Sequence, residues 1–329
     1  MESPLIMRLL ASSVTLASRA SSIVRNVFAS NDLGIVDKGV DDLQSRADRD
    51  AQRCIVGSLT QSFPGINIIG EEGKLNNTDF VSISELDTHV LGCMCPAAYK
   101  SISLSDLTVW VDPLDGTKEY TEGFIEHVTV LIGIAVSGKP VAGVIAQPFY
   151  RGHLITSDGS SPPPSPSQTI TRIVWAMDGL GVFGVKPNPP ASPVPYPINP
   201  KLTAGAAPHV IVVTRSHPTS SLSAVIDACA PTEVLRVGGC GYKVLLLLEG
   251  RAHVYLFPSM GTKRWDTCAP EAILNVAGGR LTDMWGKSYD YHAVTDPANR
   301  NGILAVPVAD WISVYTELIP PAVLDSLSQ

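Results

Sequence analysis

The sequence predicts a layered α/β protein of two domains, on three observations. Apolar residues recur at helical spacing through the first 63 positions, short β-branched runs that end in acids follow, and beyond residue 209 strand-like and helix-like stretches alternate. The length of 329 residues suits two domains at the usual ~100 to 200 residues each. Hydrophobic residues make up 45% and charged residues 17%, which is ordinary globular usage. No apolar run approaches the ~18 to 20 residues that would span a bilayer, so no membrane partner is expected. The 24 Lys+Arg against 31 Asp+Glu leave a net charge of −7, which excludes the broad basic surface of a nucleic-acid-binding protein. Six cysteines are too sparse for a disulfide scaffold and form no CxxC pair, so reduced thiols and a cytoplasmic location are the expectation.

The first 30 residues hold Arg8, Arg19 and Arg25 and a single acid, Glu2, a composition that overlaps mitochondrial transit peptides. The recurrence of Leu9, Leu16, Ala20, Ile23, Val27 and Phe28 favours a first helix packed on the domain. A second helix is expected from Asp41 to Phe63, where Leu43, Ala47, Ala51, Ile55 and Leu59 recur every four residues and Pro64-Gly65 ends the run. Asp48 lies near that apolar stripe and is expected to point inward. Ile66 to Ile69 reads as a short strand running into Glu71-Glu72, and Leu107 to Val111 as a strand feeding Asp112. His127 to Gln147 reads as an antiparallel hairpin turning at Ser137 to Pro140. Nearly half of the 26 prolines then fall between Pro162 and Pro208, and Ser160 to Ser167 is only serine and proline. A domain junction is therefore expected near 158 to 170, dividing the chain into 1–160 and 161–329, with Pro187 to Pro208 as a surface excursion. In the second part, strands are expected at Val210 to Val213, Val234 to Val237, Val254 to Phe257 and Ile303 to Val306, and helices near Tyr242 to Leu248 and Ala269 to Val276.

Chemistry concentrates in Trp110-Val111-Asp112-Pro113-Leu114-Asp115-Gly116-Thr117. A β-branched strand ends at an acid, proline stops the ladder, and a second acid, a glycine and a threonine follow. Two carboxylates can converge in such a turn, and the N–H groups of Gly116 and Thr117 can receive an anion. For an isolated D-x-x-D-G the commoner reading is an Asx turn bonding its own backbone. Glu71-Glu72 alone reads as a solvated turn, Asp266 as the cap of a helix whose first turn includes Pro270, and Asp48 as an inward acid holding a buried donor. Their combination changes the weighing, because several carboxylates at strand ends and helix starts stay ionised together only when cations neutralise them. An all-oxygen set suits Mg2+, which keeps water and is usually shared with a substrate phosphate. The seven histidines form neither HxxxH nor HExxH, and GxSxG, GxxxxGK[ST] and a post-strand GxGxxG are absent. Zinc, serine-hydrolase, P-loop and dinucleotide readings lose support.

The stretches GEE (70 to 72), WVDPLDGTKEYTEG (110 to 123) and WDTCAPE (265 to 271), in this order and spacing, resemble the signature of the lithium-sensitive, Mg2+-dependent inositol monophosphatase superfamily. GTKEYTEG, VVTRSH (212 to 217), LRVGGCGYK (235 to 243) and KRWDTCAPE (263 to 271) resemble its 3′(2′),5′-bisphosphate nucleotidase branch. The resemblance implies a layered αβαβα sugar-phosphatase fold, with a metal site in the N-terminal domain and a smaller C-terminal domain closing over the substrate. It implies Glu71, Asp112, Asp115 and Asp266 as carboxylate ligands to two or three Mg2+ ions, with the carbonyl of Leu114 completing one shell. Asp48 and Thr117 are the implied catalytic pair acting on the attacking water. Gly116, Thr117, Thr214, His217, Gly239, Lys243 and Asp266 are the implied substrate contacts. Cys240 is expected to pack as a small apolar residue beside them.

The implied reaction is hydrolysis of the 3′-phosphate of adenosine 3′,5′-bisphosphate to AMP and phosphate, with 3′-phosphoadenylyl sulfate as a second substrate and lithium as inhibitor. A monomer in the cytoplasm is expected. Two alternatives are an inositol polyphosphate 1-phosphatase, sharing every metal ligand and differing in the second domain, and a catalytically inactive sensor of nucleotide bisphosphates.

Overall fold

A computed structural model describes residues 3–39, 42–73, 80–150, 169–184, 209–216 and 218–328. The chain opens with α1 (Leu5–Ala29), whose inner face buries Leu9, Leu16, Ala20 and Val24 completely. A short hairpin follows, β1 (Val36–Gly39) and β2 (Asp42–Gln44). The next helix, α2 (Arg46–Ser62), begins later than the expected Asp41. Ser45 stops it there: its hydroxyl accepts from the N–H groups of Ala47 and Asp48, while Asp48 accepts from the Ser45 N–H, a capping box that leaves the preceding residues free to pair as strand.

The first sheet then assembles from β3 (Asn67–Gly70), β4 (Leu107–Asp115), β5 (Thr129–Val136), β6 (Lys139–Tyr150), β7 (Ile170–Met177) and β8 (Gly181–Phe183), in that spatial order. Only β3 and β4 run parallel; the other neighbours are antiparallel. Two short helices lie along the way, α3 (Thr88–Gly92) and α4 (Thr117–Glu122). β4 continues through Pro113 to Asp115, where the sequence suggested that proline would end it. Its register to β5 slips between Asp112 and Asp115, so the ring sits where no ladder N–H is needed. The β5–β6 hairpin turns on Ser137-Gly138 alone, both at positive φ, and Lys139 and Pro140 already belong to β6.

The expected junction at 160/161 and the proline-rich excursion from Pro187 to Pro208 lie outside the described residues. The first sheet nevertheless extends past residue 161, since β7 pairs with β6 and β8 with β7. The second sheet has the order β10 (Glu233–Val237), β9 (Val210–Thr214), β11 (Val254–Phe257), β13 (Ile303–Val306), β12 (Arg280–Thr282). The first three are parallel and β13 is antiparallel to both neighbours. Its helices are α5 (Ser220–Cys229), α6 (Cys240–Leu248), α7 (Arg264–Val276), α8 (Trp311–Leu318) and α9 (Pro321–Leu327).

Four buried clusters mark the contacts between five layers. α1 and α2 bury Leu9, Leu16, Ile55 and Leu59 against Val109, Val130, Val144 and other residues on one face of the first sheet. The opposite face, with Leu131, Ile145 and Val174, meets Leu245 of α6 and Ala269 and Ile273 of α7. These same two helices bury Val244, Leu247 and Leu274 against Val212, Tyr255 and Ile303 of the second sheet. Its outer face is covered by α5, α8 and α9 through Leu222, Tyr315 and Val323. The αβαβα layering expected from the resemblance is therefore the observed one.

α7 approaches the first sheet so closely because two glycines meet it. Gly133 and Gly143 are partners across β5 and β6, and a Cβ on either would come within 2.6 Å of the Ala269 backbone. Among the described residues no helix is long and apolar enough to cross a membrane, and no disulfide joins the cysteines.

Candidate active site

Strand alternation and helix caps aim the acids at one cleft. On β4, Val109 and Val111 face α1 and α2, so Trp110 and Asp112 face the opposite side, toward α7. There, α7 starts at Arg264, five residues before the expected start, which puts Asp266 in its first turn; its carboxylate accepts the Lys263 N–H at 2.5 Å. Asp115 sits where the β4 register slips and is held by α6. Its oxygens accept the N–H groups of Cys240 and Gly241, both at 2.8 Å, and the Thr129 hydroxyl at 2.7 Å. Carboxylate oxygens of Asp112, Asp115 and Asp266 all lie within 4.8 Å of one another.

A second group sits beside the first. Oxygens of Asp48, Glu71 and Glu72 also lie within 4.8 Å of one another. Glu71 follows β3 directly and donates its N–H to Val111, so the parallel β3–β4 pair brings it next to Asp112. Glu72 accepts from the Gln44 amide, and its own N–H donates to Gln52. Thr117, the first residue of α4, donates its hydroxyl to Asp48 at 3.0 Å, with the Leu114 carbonyl at 3.2 Å as a second acceptor.

The electrostatics follow from burial. Asp112 is pushed well above the usual carboxylate range, first by desolvation and then by Glu71, Asp115 and Asp266. Desolvation likewise raises Asp266 to about 7, with Asp115 adding to it and the Lys263 N–H opposing. Burial raises Asp115 too, against the bonds from Thr129, Cys240 and Gly241 and the nearby Lys243 charge. Asp48 is raised to about 6 by burial, opposed by the Ser45 hydroxyl and N–H. Like charges about 4 Å apart repel by roughly 4 kcal/mol at an effective dielectric near 20. Such a cluster lowers its energy by taking up protons or hard cations, and its all-oxygen donors fit a divalent cation of the Mg2+ type.

The cleft, of about 200 Å³, is lined by Glu71, Asp112, Leu114, Asp115, Gly116 and Thr117 on one side, and by Thr214, Gly239, Lys243 and Asp266 on the other. Ten of the residues singled out in the sequence thus share one cavity, with Asp48 one hydrogen bond behind it. His217 lies outside the described residues. Lys243 is buried, donates to the Gly239 carbonyl at 2.9 Å and lies 5.1 Å from the centre of the Tyr255 ring. Burial lowers its pKa, while neighbours including Asp115 and Glu119 hold the proton on. Cys240 is buried in the wall, as expected of a small apolar residue, but its backbone N–H also serves Asp115.

The sequence reading missed several contributors. Ser45 and Thr129 hold Asp48 and Asp115, and Leu43, Lys118, Glu119, Ser216, Tyr255 and Thr262 are among the further lining residues. A Ser-x-x-Asp capping signature at Ser45 was the one legible signal among these.

A two-sheet αβαβα fold with clustered carboxylates in a cleft between its layers defines the class of protein. The chain belongs to the inositol monophosphatase family, whose model matches residues 7–309. It is 44% identical over 304 residues to human 3′(2′),5′-bisphosphate nucleotidase 1, covering 91% of each chain. It is 37% identical to 3′(2′),5′-bisphosphate nucleotidase 1 of Dictyostelium discoideum, over 91% of this chain and 92% of that protein. Among solved structures, the extragenic suppressor protein suhB of Bartonella henselae superposes with a TM-score of 0.65 at 19% identity, over 95% of this chain and 98% of that one.

Proposed function

We propose that the protein is a Mg2+-dependent 3′(2′),5′-bisphosphate nucleotidase. It hydrolyses the 3′-phosphate of adenosine 3′,5′-bisphosphate to AMP and phosphate, acts also on 3′-phosphoadenylyl sulfate, and is inhibited by lithium. The observation that carries the reading is the convergence of Asp112, Asp115 and Asp266 on one point, beside Thr117 hydrogen-bonded to Asp48. The 44% identity to the human nucleotidase supports the substrate.

In this reading Glu71, Asp112, Asp115, Asp266 and the Leu114 carbonyl hold two or three Mg2+ ions. Bound there, Mg2+ supplies Lewis acidity toward phosphoryl oxygens and lowers the pKa of water. The Thr117 hydroxyl orients the attacking water, and Asp48 receives its proton through that hydroxyl. Burial keeps the Asp48 pKa close to the range where a general base works well. Gly116 and Thr117 offer backbone N–H groups to the phosphate. Thr214, Gly239 and Lys243 face the rest of the nucleotide, and His217 belongs to the same proposal. No residue needs to be phosphorylated.

A monomer acting in the cytoplasm completes the proposal. The division into a metal-site domain and a nucleotide domain belongs to the same proposal, with β7 and β8 paired to the first sheet beyond residue 160. The test is phosphate release from adenosine 3′,5′-bisphosphate with and without Mg2+ and Li+, beside a panel including inositol 1,4-bisphosphate. Mg2+-dependent, lithium-sensitive release from the nucleotide is expected. Turnover of the inositol substrate alone would reassign the specificity, and tight nucleotide binding without turnover would make the protein a sensor.

A further inference from the structure

Glu119, two residues after Thr117 on α4, is a buried carboxylate in the cleft wall with no part in holding metal or moving the water proton. A carboxylate in a phosphate-binding cleft repels its ligand unless its charge is compensated. Compensation comes from the second sheet. Oε1 accepts the Ser216 hydroxyl at 3.2 Å, and Arg215 Nε lies 3.4 Å away in an ion pair. The same guanidinium pairs with Glu122 and lies 4.2 Å from the centre of the Phe124 ring. Arg215 is thus engaged by two glutamates and an aromatic face.

Arg215 and Ser216 directly continue β9, whose last residue, Thr214, lines the cleft. The Arg215 N–H donates to the Val237 carbonyl at 3.1 Å, which joins this segment to the end of β10. From there the chain passes Gly238, where a Cβ would overlap the Glu119 carboxylate. One side chain on α4, the helix that begins with Thr117, therefore meets both second-sheet connections that lead to Thr214 and Gly239. It is also the first of the two glutamates in GTKEYTEG (116 to 123), the stretch that begins with Gly116 and Thr117.

We propose that Glu119 is a positioning residue for substrate selection: it sets the spacing between Thr117, beside the scissile phosphate, and the Thr214–Ser216 segment facing the remainder of the nucleotide. It acts through Ser216 and Arg215 and touches no reacting atom. The inference rests on the nucleotidase reading and deepens it.

Steady-state kinetics on adenosine 3′,5′-bisphosphate in Mg2+ test it. Glu119→Gln keeps the shape and removes the charge that Arg215 answers. It raises KM about tenfold while kcat falls less than about twofold, the size expected for one buried charge-assisted contact. Ser216→Ala raises KM about threefold. The double variant is no worse than Glu119→Gln, since both act through one contact, and the Mg2+ concentration for half-maximal rate is unchanged throughout. An unchanged KM in Glu119→Gln, a loss confined to kcat, a shifted Mg2+ requirement or additive effects would each overturn the proposal. Should Glu119→Gln fail to fold, an unchanged KM in Ser216→Ala overturns it and a raised one sustains it. A wild-type protein that releases no phosphate from this substrate overturns the nucleotidase reading and this inference together. Active wild type with unaltered variants overturns the inference alone.

Discussion

Asp112 concentrates the logic of the site in one residue. It is 1% exposed, its Oδ1 accepts the Leu114 N–H at 3.0 Å, and three acids surround it. Asp112→Asn keeps the shape and that acceptor while removing one charge from a repelling cluster. We expect turnover to fall at least about 100-fold with the circular dichroism spectrum unchanged. In EDTA the variant melts higher than wild type, because a buried like-charge repulsion is gone. A near-native rate in saturating Mg2+ would remove Asp112 from the ligand set. Glu271 offers a separate reading of burial. It is 2% exposed and accepts the Tyr291 hydroxyl, and burial lifts its pKa from 4.5 to about 7. Between those values the folded protein keeps a proton that the unfolded chain has released, so stability falls as pH rises through the window. Glu271→Gln removes that dependence, a difference on the order of 3 kcal/mol between pH 5 and 8. Parallel melting curves for the two proteins from pH 5 to 8 would contradict it.

At the scale of elements, the site depends on where helices begin. Asp48 and Asp266 occupy equivalent first-turn positions of α2 and α7, each folded back onto the N–H of its own cap residue. Asp115 does the converse and receives the N-terminus of α6 from outside. The height of α7 over the first sheet, set by Gly133 and Gly143, fixes the distance from Asp266 to β4. Gly143→Ala forces a methyl group against the Ala269 backbone and lifts the helix. Destabilisation of about 1 to 3 kcal/mol is expected by denaturant titration, together with a raised Mg2+ requirement. Unchanged stability would mean that the sheet yields instead of the helix.

For the whole molecule, the cleft is lined from three of the five layers with Asp48 of a fourth behind it, and the acids gathered there oppose folding until cations arrive. Mg2+ bound to the native state alone raises stability by about 2.7 kcal/mol at a hundred times its dissociation constant. Wild type is therefore expected to melt several degrees higher in Mg2+ than in EDTA, and Asp112→Asn to lose most of that shift. Scanning calorimetry reads both, and a melting point indifferent to Mg2+ in wild type would deny the acids their role as a metal site.

Legibility followed the range of each interaction. The first helix, the hairpin and four of the five strands of the second sheet were readable because periodicity and turn residues act within a few positions, as the match of Val254–Phe257 and Ile303–Val306 illustrates; β12, only three residues long, carried no such signal. The motif acids were readable as a set, since carboxylates at strand ends and helix starts stand out against any structural purpose. What the sequence could not disclose was decided by contacts between distant segments. Only packing carried β4 through Pro113, only the slip in its register against β5 aimed Asp115 at α6, and only the approach of β9 and β10 to α4 gave Glu119 its partners. Local sequence thus supplied the acids from which the proposed chemistry is built. The tertiary structure decided their distances, because burial and charge repulsion have no value until chains far apart in sequence meet.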